Sequence, residues 1–411
     1  MIMKRLNYID LFAGGGGLSE GFIREGFNPI AHVEMNKIAC DTITTRVAFH
    51  YLKSLNKTHI YYNYLKGEIT REDLLNKIPK HVLDSVINSE ISKSSINEIY
   101  RRINLQLGNK KVDVIIGGPP CQAYSVVGRA RDPKNMEDDP RNYLYKLYIK
   151  FLEEYRPKMF VFENVPGILS AKNGEHFEKI KKSINAAGYN FEYKILNAKD
   201  FGVLQDRKRV ILIGWKTSLK IEYPKFNIIE NKFKILKDLF CDLPKLKNGM
   251  GSMGVVYYKK DITDYLQSSG IRNGNEFTTQ HIARPTNDND LEIYRIAVDE
   301  WTLGKRLNYA DLPKKLIKHK NTTSFTNRFQ VVNGNGVSHT VVAHIAMDGH
   351  YYIHPDINQN RSITVREAAR IQSFPDDYYF EGGRTAAFKQ IGNAVPPLMA
   401  QKIAEKIREI L

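Results

Sequence analysis

The stretch "YIDLFAGGGGLSEGF", Tyr8 to Phe22, constrains this chain more than any other. An apolar, β-rich run meets four consecutive glycines and then a helix-like segment. With "NPIAHVE" following, residues 6–40 read strand, turn, helix, strand, a βαβ opening that implies a parallel sheet. Glycines between a strand and a helix let the backbone approach a ligand closely, with the helix N-terminus just beyond. The dinucleotide fingerprint G-x-G-x-x-G does not fit, because Ser19 occupies its third glycine position. Phe12 before the glycines suits an adenosine bound without a pyrophosphate. Glu34, ending the next strand, can accept hydrogen bonds from both hydroxyls of a ribose.

The alternation continues. "KVDVIIGG", "KMFVFENV", "FEYKILNA" and "RVILIGW" read as strands, and "YLYKLYIKFLEEY" and "FEKIKKSINAAGY" as helices, up to about Trp215. Residues 71–111 are polar, with Leu74, Leu75, Ile78, Val82, Val86 and Ile87 at spacings of three and four, which predicts a helical insertion. Beyond Lys216 the pattern is irregular, with short strands expected at "GVVYYKK", "HTVVAHIA" and "HYYIHP". The tail "PPLMAQKIAEKIREIL" is amphipathic, with Met399, Ile403 and Ile407 on one stripe, and is expected to pack back on the first domain. A chain of 411 residues is longer than one core usually serves. We therefore expect an α/β fold in two parts. Residues 1–215, completed by 386–411, form a domain with a mixed, mostly parallel sheet, and 216–385 form a smaller, irregular one.

The formal charge of +16 suits a nucleic-acid partner, although a generally lysine-rich proteome explains it equally well. Cys40, Cys121 and Cys241 are odd in number and widely spaced, which argues against a disulfide framework or a zinc site and for a reducing compartment. With no signal peptide and no 18-residue apolar run, a cytoplasmic location without a membrane partner is the expectation.

Several motifs could carry chemistry. In "IIGGPPCQAYS" two glycines end a strand, Pro119 and Pro120 stiffen the turn, and Cys121 emerges at the carboxyl edge of the sheet, where open α/β sheets bind ligands. A thiol there becomes a nucleophile if a cation or helix N-terminus lowers its pKa; a buried structural cysteine is the alternative. Glu163 in "FVFENVPG" reaches the same edge, either as a proton donor or as a loop-fixing carboxylate. In "QDRKRVILIGW", Gln205, Arg207 and Arg209 alternate, so the two arginines could converge on one anionic or carbonyl group; a solvated strand end is the alternative. Asn393 in "QIGNAVPP" is expected in a tight turn before the last helix. His339, His344, His350 and His354 lack convincing metal-ligand spacing, and no metal is expected.

Together these motifs resemble the bacterial DNA (cytosine-5)-methyltransferases, in that family's order: "DLFAGGGG", Glu34, "GGPPCQAYS", "ENV", "QDRKR", "SITVREAARIQSFPDDYYF" and "QIGNAVPP". The resemblance covers nearly the whole chain. It implies a Rossmann-like methyltransferase domain with a target-recognition domain, using S-adenosylmethionine on double-stranded DNA. It also implies a monomer that flips the target base out of the duplex, and a cognate restriction endonuclease acting on the same site. Carbon 5 of cytosine is a poor nucleophile, so a thiolate first adds at carbon 6. Cys121 matches that thiolate, Glu163 the carboxyl that protonates ring nitrogen 3, Arg209 the arginine on the base carbonyl, and Arg207 a supporting arginine. Phe12, Ala13, Gly14 and Gly16 match the cofactor's methionine shell, Glu34 its ribose ligand and Met35 its adenine neighbour, with Pro120, Leu144, Asn393 and Ala394 around it. Where the family has Asp-Ile at the third strand's end, this chain offers Glu68 and Ile69, the longer acid accepting the same bond. Gln122, Ser125, Arg129 and Arg131 follow the nucleophile and are expected against DNA.

Three alternatives are weaker. Amino-methylating enzymes carry an acidic or polar residue, then Pro-Pro and an aromatic, whereas Cys121 follows Pro-Pro here. Transfer-RNA methyltransferases of this type carry Cys-Phe-Thr in the recognition part, whereas Cys241 precedes Asp242. A non-catalytic DNA-binding module would not need Cys121, Glu163 and Arg209 intact.

Overall fold

The computed structural model of the chain describes residues 5–120, 143–318 and 321–411. Strands β1 (Asn7–Leu11), β2 (Asn28–Glu34), β3 (Val86–Asn88), β4 (Val114–Gly117), β5 (Met159–Asn164), β6 (Tyr189–Asn197) and β7 (Lys208–Lys216) make one sheet, ordered β3-β2-β1-β4-β5-β7-β6. Only β7 is reversed relative to the other strands, so the sheet is mixed and mostly parallel, as expected. Its helices are α1 (Gly17–Arg24), α2 (Lys37–Ser54), α3 (Thr58–Lys66), α4 (Arg71–Leu75), α5 (Lys80–Leu83), α6 (Ile96–Leu107), α7 (Leu144–Tyr155) and α8 (Glu175–Ala186).

Alternation along the central strands sorts side chains to the two faces. Ile9, Leu11, Ile115, Phe160 and Phe162 meet α6, α7 and α8 on one side. Tyr8, Val114, Ile116, Met159 and Val161 meet α1 and the C-terminal helix on the other. The loop-rich part supplies the hairpin β8 (Gly251–Tyr257) and β9 (Phe277–Ile282), then α9 (Asp264–Ser268) and α10 (Asp288–Thr302). The chain ends with α11 (Val365–Ile371), α12 (Arg384–Asn393) and α13 (Pro397–Ile410). The predicted apolar stripe of α13 is real: Met399, Ile403 and Ile407 are fully buried in the α1 face. A Cβ on Gly21 would lie 2.4 Å from the Gln401 nitrogen, so α1 and α13 touch backbone to backbone.

Two readings need correction. The apolar spacing at 71–111 runs through a strand: Val86 and Ile87 belong to β3, which pairs with β2. Of the three short strands expected beyond Lys216, only "GVVYYKK" overlaps one. "HTVVAHIA" and "HYYIHP" contain short 3-10 turns; the backbone of the first finds side-chain partners, and that of the second makes only isolated bridges, from Ile353 to Val331 and Ser362. Val341 donates to Gln205 Oε1, and Val342 donates to Tyr352 Oη.

What holds this irregular part is buried charge. Arg361, Arg366 and Arg370 are fully buried. Arg361 grips Glu367 with two bonds of 2.7 Å. Arg370 spans Asp242 and Asp376, with closest approaches of 2.6 Å. Arg366 donates to the carbonyls of Thr279, Pro375 and Tyr378. A similar cluster ties α1 to α2, where Arg46 bridges Glu20 and Asp377. Among the described residues, no helix is long and apolar enough to cross a membrane.

Removing one partner of a buried pair strands the other. Arg370→Ala should cost about 3–5 kcal/mol, read as a lowered urea midpoint, while Arg101→Ala on the exposed Glu98 pair leaves the midpoint unchanged. Acid should act in two stages. Burial pushes His176 and His339 down to about 4 and His354 to about 3. The unfolded chain therefore takes up protons that the fold refuses, and stability begins to fall below about pH 6.5. The carboxyls of Glu20, Glu367 and Asp376 are held low against their own burial by the arginines beside them. Their contribution is full above the ordinary carboxyl range and drains away below about pH 4.5. Melting temperatures across pH 3–8 check both stages.

Candidate active site

The in-register pairing of β4 with β5 sets Gly117 opposite Phe162, which brings the next residues of both strands to one edge. A Cβ on Gly118 would meet Glu163 Oε2 at 2.5 Å, so the glycine makes room for that carboxyl. Asn164 Nδ2 donates to the Pro119 carbonyl at 3.2 Å, while its Oδ1 accepts from Val165 N at 2.9 Å. The turn is thereby pinned up to Pro120. Cys121, Gln122, Ser125, Arg129 and Arg131 lie outside the described residues.

Glu163 and Arg209 come together. The antiparallel β5–β7 register pairs Glu163 with Ile211, two residues past Arg209, so both point from one face. Arg209 Nε lies 2.9 Å from Glu163 Oε1, and both side chains are mostly shielded from solvent. The expected convergence of two arginines does not occur. Arg207 precedes the strand and is buried, its Nη1 donating to the Val341 carbonyl at 2.7 Å and its Nη2 to that of Gly392 at 3.2 Å. Gln205 is buried beside it, bonding Val341 N and the Gln372 amide.

The glycine turn divides into two kinds of position. Cβ atoms on Gly15, Gly16 and Gly17 would meet Gln390 Cβ at 3.1 Å, Tyr378 Oη at 2.5 Å and the Val395 carbonyl at 2.3 Å. These three glycines answer to the C-terminal segment packed behind them. Gly14, with φ +55°, would meet nothing within 4 Å and faces open space. Its N–H donates to Glu34 Oε2 at 2.9 Å, and Asn36 N donates to Glu34 Oε1 at 2.8 Å. Burial raises the Glu34 pKa, with those two N–H groups opposing the shift. Each carboxylate oxygen keeps a lone pair for a hydroxyl. Phe12, just before the turn, holds φ 57°, a conformation that a bulky side chain adopts only under constraint. Ala13 N bonds the Val33 carbonyl, and Met35 beyond Glu34 is exposed.

Glu68 and Ile69 are not at the third strand's end. Glu68 is exposed just past α3, and Ile69 packs with the α3 cluster. The third strand is β3, and the acid–isoleucine pair following it is Glu90–Ile91, with Ile91 buried. The signal was there in "VINSEI", but the helical spacing around it hid so short a strand. Asn88 was also missed; its amide donates to the carbonyls of Glu34 and Met35 and fixes the acidic turn. Leu144 opens α7 and packs on the core of that face. Asn393 ends α12 instead of occupying a free turn; it is exposed, and Ala394 beside it is buried.

Three of the four histidines are individually engaged. His339 bonds the Tyr351 carbonyl, His350 the Tyr294 hydroxyl, and His354 stacks on Phe240 beside Glu367.

Comparison with known proteins agrees with this geometry. The profile of the C-5 cytosine-specific DNA methylase family matches residues 6–75 and 74–409. The Type II methyltransferase M.Bpa9945I of Bacillus paralicheniformis is 42% identical, with 98% of each chain covered. M.DdeI of Desulfomicrobium norvegicum is 32% identical over 98% of this chain and 88% of its own. Among solved structures, a prophage-encoded E. coli protein assigned as a DNA modification methyltransferase shares the fold, with TM-score 0.65 and 24% identity over 98% of this chain and 99% of that one. The Dnmt2 methyltransferase of S. pombe shares it at TM-score 0.54 and 15% identity, over 99% of this chain and 98% of its own. A shielded Glu–Arg pair beside a braced Pro-Pro turn, a glycine cradle with an acid at the next strand's end, and a match along nearly the whole chain place this protein in the C-5 cytosine-specific DNA methylase family, whose members transfer a methyl group from S-adenosylmethionine to carbon 5 of cytosine in DNA.

Proposed function

We propose that the chain divides its labour as the motifs suggest. Residues 1–215 with 386–411 carry the chemistry, and 216–385 recognise a specific sequence in duplex DNA. The observation that supports this most directly is the Glu163–Arg209 pair at 2.9 Å, set against a turn that leads straight into Cys121. The cytosine is flipped out of the stack toward this edge. Cys121, as thiolate, adds to carbon 6, which turns carbon 5 into an enamine-type nucleophile; once carbon 5 carries the methyl group, a base takes its proton and the Cys121 thiolate leaves carbon 6, restoring the aromatic ring. Glu163 supplies a proton to ring nitrogen 3, and Arg209 holds the base carbonyl, so the pair that bonds within the free protein turns to the base. Arg207 keeps the backbone at Val341 and Gly392 in place and serves as a positioning residue.

S-adenosylmethionine, when bound, supplies the methyl group as an electrophile. The open space at Gly14 and the free lone pairs of Glu34 fit its methionine and ribose parts. Phe12, Ala13, Gly16, Met35, Pro120, Leu144, Asn393 and Ala394 complete the shell. Glu90 and Ile91, in place of Glu68 and Ile69, meet the adenine. The relatives' Type II names support a role as the modification partner of a restriction endonuclease at the same DNA site.

Cys121→Ala should abolish methylation of duplex DNA and its covalent adduct with 5-fluorocytosine DNA while leaving cofactor binding nearly unchanged. Bisulfite sequencing of plasmid DNA from expressing cells reads both the reaction and the site; methylation by the alanine variant would refute the nucleophile. A methyl group at Gly118 would displace the Glu163 carboxyl. Gly118→Ala should therefore lower kcat by about 10²-fold or more with the melting temperature near the parent's. Parental turnover would show that the carboxyl's placement does not matter.

A further inference from the structure

Phe325 is a bulky residue with left-handed backbone, φ 55°, and its side chain is 68% exposed. Both features oppose folding: the conformation is strained for any side chain with a Cβ, and the ring is left in water. Among the described residues, neither is repaid by packing. The strain is nonetheless firmly built in. Arg328 donates to the carbonyls of Phe325, Ser324 and Asn321 at 3.0, 3.0 and 2.8 Å, and its guanidinium lies 4.2 Å from the Tyr309 ring. The Asn321 side chain accepts from Thr323 N and Ser324 N. Phe329, just beyond, is buried and stacked on Tyr309. The loop is thus a rigid mount that holds one aromatic ring outward.

Side-chain contacts link the mount to the segment that Arg207 holds. Asn327 Nδ2 reaches the Tyr351 hydroxyl, and Tyr351 packs on His339. Tyr352, next along, bonds the Thr340 carbonyl and Val342 N, on either side of the carbonyl that Arg207 holds. Residues 305–328 also carry seven Lys or Arg against a single acid, Asp311, a charge suited to a phosphate backbone. A fixed aromatic among cations is the chemistry of base stacking or wedging in DNA, which spreads base steps and steadies a deformed duplex.

We propose that Phe325 is a positioning residue for methylation, inserting its ring against the bases of duplex DNA near the flipped cytosine. This rests on the cytosine-5 reading. The test uses the full chain and a synthetic duplex carrying the site mapped by bisulfite sequencing. Phe325→Gly removes the ring and relieves the backbone strain, so the fold should melt near the parental temperature. Its KM for the duplex should rise about tenfold, with kcat at saturating DNA within about twofold, and Phe325→Trp should recover most of the loss. With 2-aminopurine placed at each position in turn, wild-type protein should change the fluorescence at one or more positions outside the target base, and Phe325→Gly should not. An unchanged KM and fluorescence profile would overturn the role of Phe325, as would a variant that lost only self-association. A wild-type chain that left all DNA unmethylated would instead overturn the cytosine-5 reading itself.

Discussion

A guanidinium taken out of water must find partners for five N–H donors, and the least regular part of this chain is organised around that demand. Arg361, Arg366 and Arg370 each satisfy it by reaching across loops far apart in sequence. Arg361 joins Leu246 to Glu367, Arg366 joins the β9 strand to the turn after α11, and Arg370 joins Leu239 and Asp242 to Asp376. A segment with little sheet or helix of its own gains a defined shape this way. Hydrogen bonds to fixed carbonyls do the work that a strand ladder does elsewhere.

The same device reaches the site. Arg207 is the fourth fully buried arginine, and its carbonyl partners, Val341 and Gly392, belong to segments that meet closely enough for a Cβ on Gly392 to lie 2.3 Å from the Ala343 nitrogen. The C-terminal segment in turn fills the space behind Gly15, Gly16 and Gly17. The glycine turn is therefore shaped from behind by residues more than 360 positions away in sequence, and of its four glycines only Gly14 faces open space. Two phenylalanines hold left-handed backbone, Phe12 just before the glycine turn and Phe325 on the loop mount.

Much of this was legible in advance where the signal was local. Every strand of the first 215 residues but β3, and helices α1, α7 and α8, follow from runs of apolar and β-branched residues and from period-3.6 patterns, and the C-terminal stripe from Met399, Ile403 and Ile407. Glu163 and Arg209 were singled out by position, and the fold does bring them together. Arg207 was singled out for the same reason and went elsewhere, because alternation holds only within a strand and Arg207 precedes β7. Glu68 failed differently: an acid–isoleucine pair occurs twice, and a three-residue strand is too short to outweigh helical spacing on either side of it.

The sequence by itself determined the family, the order of the motifs and all strands of the main sheet but β3, since these rest on residue type and on spacing along the chain. The tertiary structure alone decided which arginine pairs with Glu163, which acid follows the third strand, and why three of four glycines are required by packing. It also decided that Phe325 stands exposed on strained backbone. Each depends on distances between residues remote in sequence, and no local pattern encodes those.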